Sequence, residues 1–485
     1  MSATSSEVTI IGAGFGGLTM AHRLAEIGID DVVVLERSDG VGGTWRANRY
    51  PGAACDVPSH LYSLSFAPNP NWSKTYADQP EILDYVERCY DELDVRRKVR
   101  CGVEVTAATW DDERRHWRLR DRDGATHETS ILVSAIGLFH TPTLPAIAGL
   151  DDFAGPVVHS ARWGDGSDVA GRRVAVIGTG ASAIQIVPAI VDDVAELTLY
   201  QRTPAWILPR KDEPYTDEQR RTFAERPETA CELRQQLHDL FEQNRAFVRG
   251  DPWAATIDGM ARGYLEHKVA DPTLRAALTP DYAIGCKRVL VSSDFYPAVQ
   301  RDHVELVTTP IEQIVPEGIR TVDGTVRPCD TIVCCTGFRA TEYLCGIDVT
   351  GRDGTGLQDH WDGVPSAYHG IAVPGFPNLF LMYGPNTNQG GNSILLVLEA
   401  QADFVADAVT SLRSRGAAAI EVRPEAMDRY RTDLRTALGN TVWDGGCDSY
   451  FRTAAGDIVT QLPHTAGWYR EQTARIDPVD FTFIA

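Results

Sequence analysis

An α/β architecture containing two parallel-sheet βαβ units is what this sequence predicts, and three observations predict it. Two segments carry one pattern of apolar strand, glycine turn, helix and second strand at the same internal spacing. The 485 residues exceed the ~250 to 300 at which a single hydrophobic core stops growing, so two or more domains are expected. Hydrophobic residues at 43% and charged residues at 23% sit near the averages of globular proteins, which excludes collagen-like, fibrous and disordered chains.

The first segment reads VTIIGAGFGGLTMAHRLAEIGIDDVVVLER, with Gly12, Gly14 and Gly17 at the turn and Glu36 at the end of the second strand. The other reads RVAVIGTGASAIQIVPAIVDDVAELTLYQR, with Gly178, Gly180 and Ala183 at the turn and Arg202 at the corresponding strand end. From first glycine to strand-end residue the interval is the same, 12 to 36 and 178 to 202. One such turn is a weak signal, but two copies, each set between strand and helix, point to a pair of Rossmann-like dinucleotide-binding domains. In such a turn the first glycine permits a tight bend and the second lets backbone N–H groups approach a pyrophosphate. The helix N-terminus adds partial positive charge.

The strand-end residues separate the two sites. Glu36 can accept hydrogen bonds from ribose hydroxyls, which suits the unphosphorylated adenosine of FAD. Arg202 can pair with a 2'-phosphate, which favours NADPH over NADH. A solvated strand-end charge is the alternative reading of Arg202.

The remaining chain is divided accordingly. Residues 1–150 are expected to form the first part of the FAD domain, 151–330 the NADPH domain, and 331–485 the second part of the FAD domain. The runs ILVSAIGLFHTP (131–142) and DTIVCCTGFRAT (330–341) look like buried strands entering turns where the chain crosses between domains. Within the NADPH domain a helical insertion is expected at about 213–282, because this stretch is rich in Arg, Glu, Leu and Ala and lacks strand alternation.

Acidic side chains outnumber basic ones by 67 to 46, a net charge of -21, and such a surface repels phosphate backbones and anionic headgroups. Neither nucleic acid nor a membrane is an expected partner, and nothing in the pattern speaks to oligomeric state. Ten cysteines occur without a CxxC pair, so reduced thiols, no metal site and a cytoplasmic location are expected.

One segment exceeds generic βαβ chemistry. GGTWRANRYPGAACD (42–56) resembles the first motif of the Baeyer-Villiger monooxygenases at every specified position: Gly42, Gly43, Trp45, Tyr50, Pro51, Gly52 and Asp56. FAGPVVHSARWGD (153–165) resembles the family's linker fingerprint at Phe153, Gly155, His159 and Trp163, with Gly164 where the family usually has Pro or Asp. Similarity extends to QRTPAW (201–206), CKRVLVSSDFYP (286–297), GPNTNQGGNS (384–393) and CDSYF (447–451), and so covers most of the chain.

The resemblance implies an FAD-dependent enzyme in which NADPH reduces the flavin, O2 adds at C4a, and the resulting peroxyflavin converts a small-molecule ketone to an ester or lactone. It implies that Arg288 is the active-site cation and that Asp56 pairs with it and holds its orientation. Arginine suits this role because its pKa above ~12 prevents it from protonating a nucleophile. Further cofactor-binding residues implied are Thr44 and Trp45 near the flavin, Ser182, Thr203 and Lys287 near NADPH, and Asn386. His159 and Trp163 would couple the two domains, with no proton transfer assigned to His159. The nearest alternative is a flavin monooxygenase oxidising nitrogen or sulfur. A pyridine nucleotide-disulfide reductase would need a redox thiol pair that the sequence lacks, and a non-catalytic dinucleotide sensor is a third class.

Overall fold

The computed structural model describes residues 4–164, 167–446 and 449–485. Its largest sheet has eight strands. At the centre, Thr4–Ile11 pairs in parallel with Val32–Glu36 and Thr126–Ser134, in a register that sets Ile10 beside Val34 and Val133. Strands buried on both faces need a near-continuous apolar run, and Val8, Ile10, Val34 and Val133 are all fully buried. Val105–Asp111 and His116–Asp121 add an antiparallel flank. Leu379–Leu381, more than two hundred residues later in sequence, returns to pair with Thr126–Ser134. The long helix Ile394–Ser414 then packs against the first helix, Phe15–Glu26.

A second sheet has five strands, all parallel, in the order Val304–Val307, Glu196–Tyr200, Arg173–Ile177, Thr331–Cys334, Val157–His159. Thr331–Cys334 pairs with Arg173–Ile177, so the second sheet continues past residue 330, where the sequence reading ended it. The run TIVC is wholly buried, with Ile332 and Cys334 in one core on the second sheet and Val333 in the other. A three-stranded antiparallel meander, Ile311–Val315, Gly318–Thr321 and Val326–Pro328, attaches to the same unit.

The expected helical insertion is present as Asp217–Glu225, Pro227–Glu242, Pro252–Lys268 and Pro272–Ala277. Proline stands at the first position of the last three, where its missing N–H costs nothing. Thr216 and Gln219 close a reciprocal cap on the first of them. The insertion serves both units. Leu237 and Phe241 pack on the core of the large sheet, and Leu265 lies in the core of the second. Among the described residues no helix is long and apolar enough to cross a membrane, and no cluster of His, Cys, Asp and Glu is arranged to hold a metal ion.

Candidate active site

The first glycine turn closes tightly. Gly12 takes φ +105°, and a Cβ there would stand 2.6 Å from the Ala135 carbonyl oxygen. A Cβ on Gly17 would fall 2.0 Å from the Gly12 carbonyl oxygen, so helix and strand meet with no space for a methyl group. Gly14 faces Gly43 of the motif segment, where a Cβ on Gly43 would lie 2.8 Å from the Gly14 Cα. Backbone from two distant stretches thus forms a groove without side chains, the geometry a pyrophosphate requires. Glu36 is buried at the strand end. Its carboxylate accepts from the Ala13 N–H at 2.7 Å, and from the Ser38 N–H at 2.9 Å and the Ser38 hydroxyl at 2.7 Å.

These groups line a cavity of ≈ 890 Å³ that also takes in Thr44, Trp45, Asp56 and Arg288. At Asp56, Arg288 arrives from a segment 232 residues later and forms a forked pair: Nη2 donates to both carboxylate oxygens at 2.7 Å, and Nε donates to Oδ2 at 3.0 Å. Arg288 keeps 35% of its side chain exposed and Asp56 25%, and because both line the cavity a ligand there can reach them. Asp56 beside it holds the guanidinium pKa above its already high ordinary value, against the opposing effect of burial. Trp45 Nε1 donates to the Tyr62 hydroxyl at 3.1 Å, and the Tyr383 hydroxyl donates to Asn388 Oδ1 at 2.6 Å. Tyr62, Tyr383 and Asn388 all line the cavity, and of these only Asn388, in the 384–393 turn, lies in a segment the sequence singles out.

Asn386 does not line it. Its backbone is left-handed, φ +57°, and its amide donates to the carbonyls of Ile458 at 2.9 Å and Gln461 at 3.2 Å. Asn388, Gln389 and Asn392 of the same turn face the cavity instead. The turn signature is legible in the sequence, but which of its amides faces the cavity depends on the distant 458–461 segment that takes up the Asn386 amide.

The second turn repeats the first in backbone and differs in surroundings. Gly178 takes φ +108° and closes on the Cys335 carbonyl, 2.6 Å from where a Cβ would be. Gly180 is exposed and has nothing within 4 Å of a Cβ position. Ser182 precedes helix Ala183–Ile190, and the Thr203 carbonyl accepts from the Thr179 hydroxyl at 2.8 Å. Arg202 is exposed. Lys287 sits with its ammonium 5.1 Å from the Tyr282 ring centre.

In the linker, Phe153 is buried in the core of the second unit, and a Cβ on Gly155 would be 2.4 Å from the Asp330 carbonyl oxygen. His159 receives the Ala161 N–H on Nδ1 at 3.1 Å, so its Nε2 carries the proton donated to the Gly337 carbonyl at 3.1 Å. Burial lowers its pKa, against the hydrogen bond to Gly337. It ties the linker to the 330–341 crossing. Trp163 packs on the second core and also lines the cavity. Asp165, Cys447 and Asp448, at the ends of two quoted motifs, lie outside the described residues.

Cys55 and Cys345 line the cavity as free thiols, and burial pushes the Cys55 thiol well up, so it stays protonated. One thiol departs from the expectation of reduced cysteines throughout: Cys286 is disulfide-bonded. No local CxxC spacing signals it.

Two glycine turns, one enclosed beside a carboxylate and the other open beside a cation, with a forked Arg–Asp pair on the enclosed side, define a flavoprotein oxidoreductase that also uses a nicotinamide dinucleotide. The family model described as pyridine nucleotide-disulphide oxidoreductase matches residues 9–222, which include both turns. A Baeyer-Villiger monooxygenase of Streptomyces coelicolor is 42% identical, over 98% of this chain and 92% of its own length. An oxidized steroid monooxygenase bound to NADP superposes with a TM-score of 0.87 at 34% identity, over 99% of this chain and all of its own. OTEMO in complex with FAD and NADP superposes with a TM-score of 0.89 at 27% identity, over 99% of this chain and all of its own. This chain belongs to the Baeyer-Villiger monooxygenases, NADPH-dependent flavoenzymes that oxygenate ketones.

Proposed function

We propose that FAD occupies the cavity lined by Gly12, Gly14, Glu36, Thr44 and Trp45, with its reactive ring at the Asp56–Arg288 pair, while NADPH docks at the turn of Gly178, Gly180 and Ser182. Gly17, which has no room for a side chain, keeps the first turn closed. The side-chain-free groove between Gly14 and Gly43 supports the first assignment, since any Cβ on Gly43 would block it. Exposed Arg202, with Thr203 and Lys287 nearby in the same unit, supports the second by offering cations to a 2'-phosphate. We divide the chain into a FAD domain of residues 1–150 and about 335–485 and an NADPH domain between them.

When bound, FAD supplies the redox chemistry by which two electrons from NADPH reduce O2, one oxygen atom entering the ketone as ester or lactone and the other leaving as water. The protein's part is positioning and charge. Arg288 places a fixed positive charge where the substrate oxygen becomes anionic, and in a cavity partly shielded from water this charge counts for more than in solution. It cannot give up its proton, because Asp56 holds its pKa further up. Asp56 fixes the guanidinium plane through three hydrogen bonds, so little reorganisation is needed as charge develops. A cytoplasmic setting suits the enzyme, because it supplies NADPH.

The forked Asp56–Arg288 pair on the wall of the dinucleotide cavity carries this reading. Arg288→Ala is expected to lower ester formation roughly 100-fold or more while NADPH still bleaches the flavin absorbance. Product analysis with a panel of ketones checks it, and undiminished ester formation would remove Arg288 from the mechanism. Oxidation of sulfides or amines in preference to every ketone would favour the heteroatom-oxygenating alternative.

A further inference from the structure

The motif segment that walls the first cavity is fastened to the helix behind the second glycine turn, and one side chain makes most of the fastening. Gln185 lies in the first turn of helix Ala183–Ile190. Its Oε1 accepts from the Tyr50 hydroxyl at 2.9 Å, and its Nε2 donates to the Ala54 carbonyl at 2.9 Å. One amide thus spends both its ends on a single short stretch of the other unit. Between those two contacts Gly52 takes φ +77°, and a Cβ there would stand 2.5 Å from the Gln185 carbonyl oxygen and 3.0 Å from Ala189 Cβ. Two residues beyond Ala54, Asp56 grips Arg288.

We infer that Gln185 is a positioning residue, which sets the separation of the two dinucleotide sites by fastening the flavin-side stretch Tyr50–Ala54 to the helix that follows the second glycine turn. The inference rests on the assignment of FAD to the first turn and NADPH to the second. It accounts for the Tyr-Pro-Gly run of the motif: Tyr50 supplies the hydroxyl, Pro51 stiffens the backbone, and Gly52 permits the close approach. Hydride transfer between two bound cofactors needs reacting atoms within about 3 to 3.5 Å, and an error of about 1 Å can cost two orders of magnitude. Neither turn alone can define that spacing, because they belong to different sheets.

The test uses the FAD-loaded enzyme and two variants. Gln185→Leu keeps side-chain bulk and removes both bonds, and Tyr50→Phe removes a single hydroxyl. Flavin bleaching under anaerobic conditions is measured at saturating NADPH. The saturating rate is expected to fall roughly tenfold in Q185L and less in Y50F, and the double variant should be no slower than Q185L because both act through one contact. Before NADPH is added, amide hydrogen exchange should rise across residues 50–56 in Q185L and stay unchanged at the Gly12 turn. Wild-type bleaching in Q185L, a change confined to the KM for NADPH, or unaltered exchange at 50–56 would each overturn the inference. If Q185L fails to fold, Y50F decides by the same readouts. A wild-type flavin that NADPH cannot bleach is a separate failure, of the cofactor assignment itself.

Discussion

At Gly12 and Gly178 the backbone adopts φ of +105° and +108°, and in each a Cβ would stand 2.6 Å from a carbonyl oxygen, that of Ala135 or of Cys335. Beyond this shared bend the turns diverge. The first is roofed by the motif segment at Gly43 and opens only into the cavity, whereas the second presents Gly180 to solvent. At the third position the first has Gly17 with no room for a methyl group, and the second has Ala183, fully buried. One bend can therefore serve two purposes. Enclosure suits a cofactor retained through turnover, and exposure suits one that must arrive and leave with every cycle.

The comparison can be broken most sharply at Gly17. Gly17→Ala places a Cβ 2.0 Å from the Gly12 carbonyl oxygen, and the purified variant is expected to carry little or no flavin, read from its visible absorbance relative to protein. Gly180→Ala, with open space around its Cβ, should keep its flavin and only raise the KM for NADPH. Equal flavin contents in the two variants would show that crowding does not distinguish the turns.

A smaller effect is expected at Arg202. A charge-assisted contact to a 2'-phosphate is worth about 1.5 to 3 kcal/mol, so Arg202→Ala should raise the KM for NADPH by roughly tenfold to a hundredfold. The KM for NADH should hardly move. Loss of the preference for NADPH confirms the role, and parallel changes for both cofactors would argue against it.

A pH dependence also bears on the comparison of the two units. His60 and His369 both pack against the core of the large-sheet unit or its motif loop, and burial lowers each pKa from 6.5 to about 4. A lowered folded-state pKa means that the unfolded chain takes up the proton first. Stability from these rings is therefore complete above pH 6.5 and is lost as pH falls toward 4, at about 1.4 kcal/mol per pH unit for each ring. Flavin release on acidification should begin in that window, and His60→Gln should flatten part of the slope. An unchanged profile in that variant would assign the acid sensitivity elsewhere.

Much of this was legible in the residues. Each glycine turn announces itself because pyrophosphate binding constrains adjacent positions: a bend, a bare approach and a close helix contact lie within six residues. Glu36 and Arg202 are readable for the same reason, since the length of a βαβ unit places them at fixed distance from their turns. The Asp56–Arg288 pair was reached only by resemblance, because its partners are 232 residues apart and an isolated Arg or Asp carries no local pattern. That the Asn386 amide bonds to Ile458 and Gln461 rather than lining the cavity depends on a segment some seventy residues away, and the Cys286 disulfide left no local trace.

By itself the sequence determined the two βαβ units, the helical insertion and the chemical character of each dinucleotide site, all consequences of short-range spacing and hydrophobic period. Only the tertiary structure decided which sheet receives Thr331–Cys334, which amides of the 384–393 turn face the cavity, and that one turn is enclosed while its twin is open. It alone shows Gln185 reaching Tyr50 and Ala54 across the units. Local bends follow from residues a few positions apart, whereas enclosure and fastening depend on segments hundreds of residues apart being packed together, and hydrophobic packing has no spacing rule to leave in the chain.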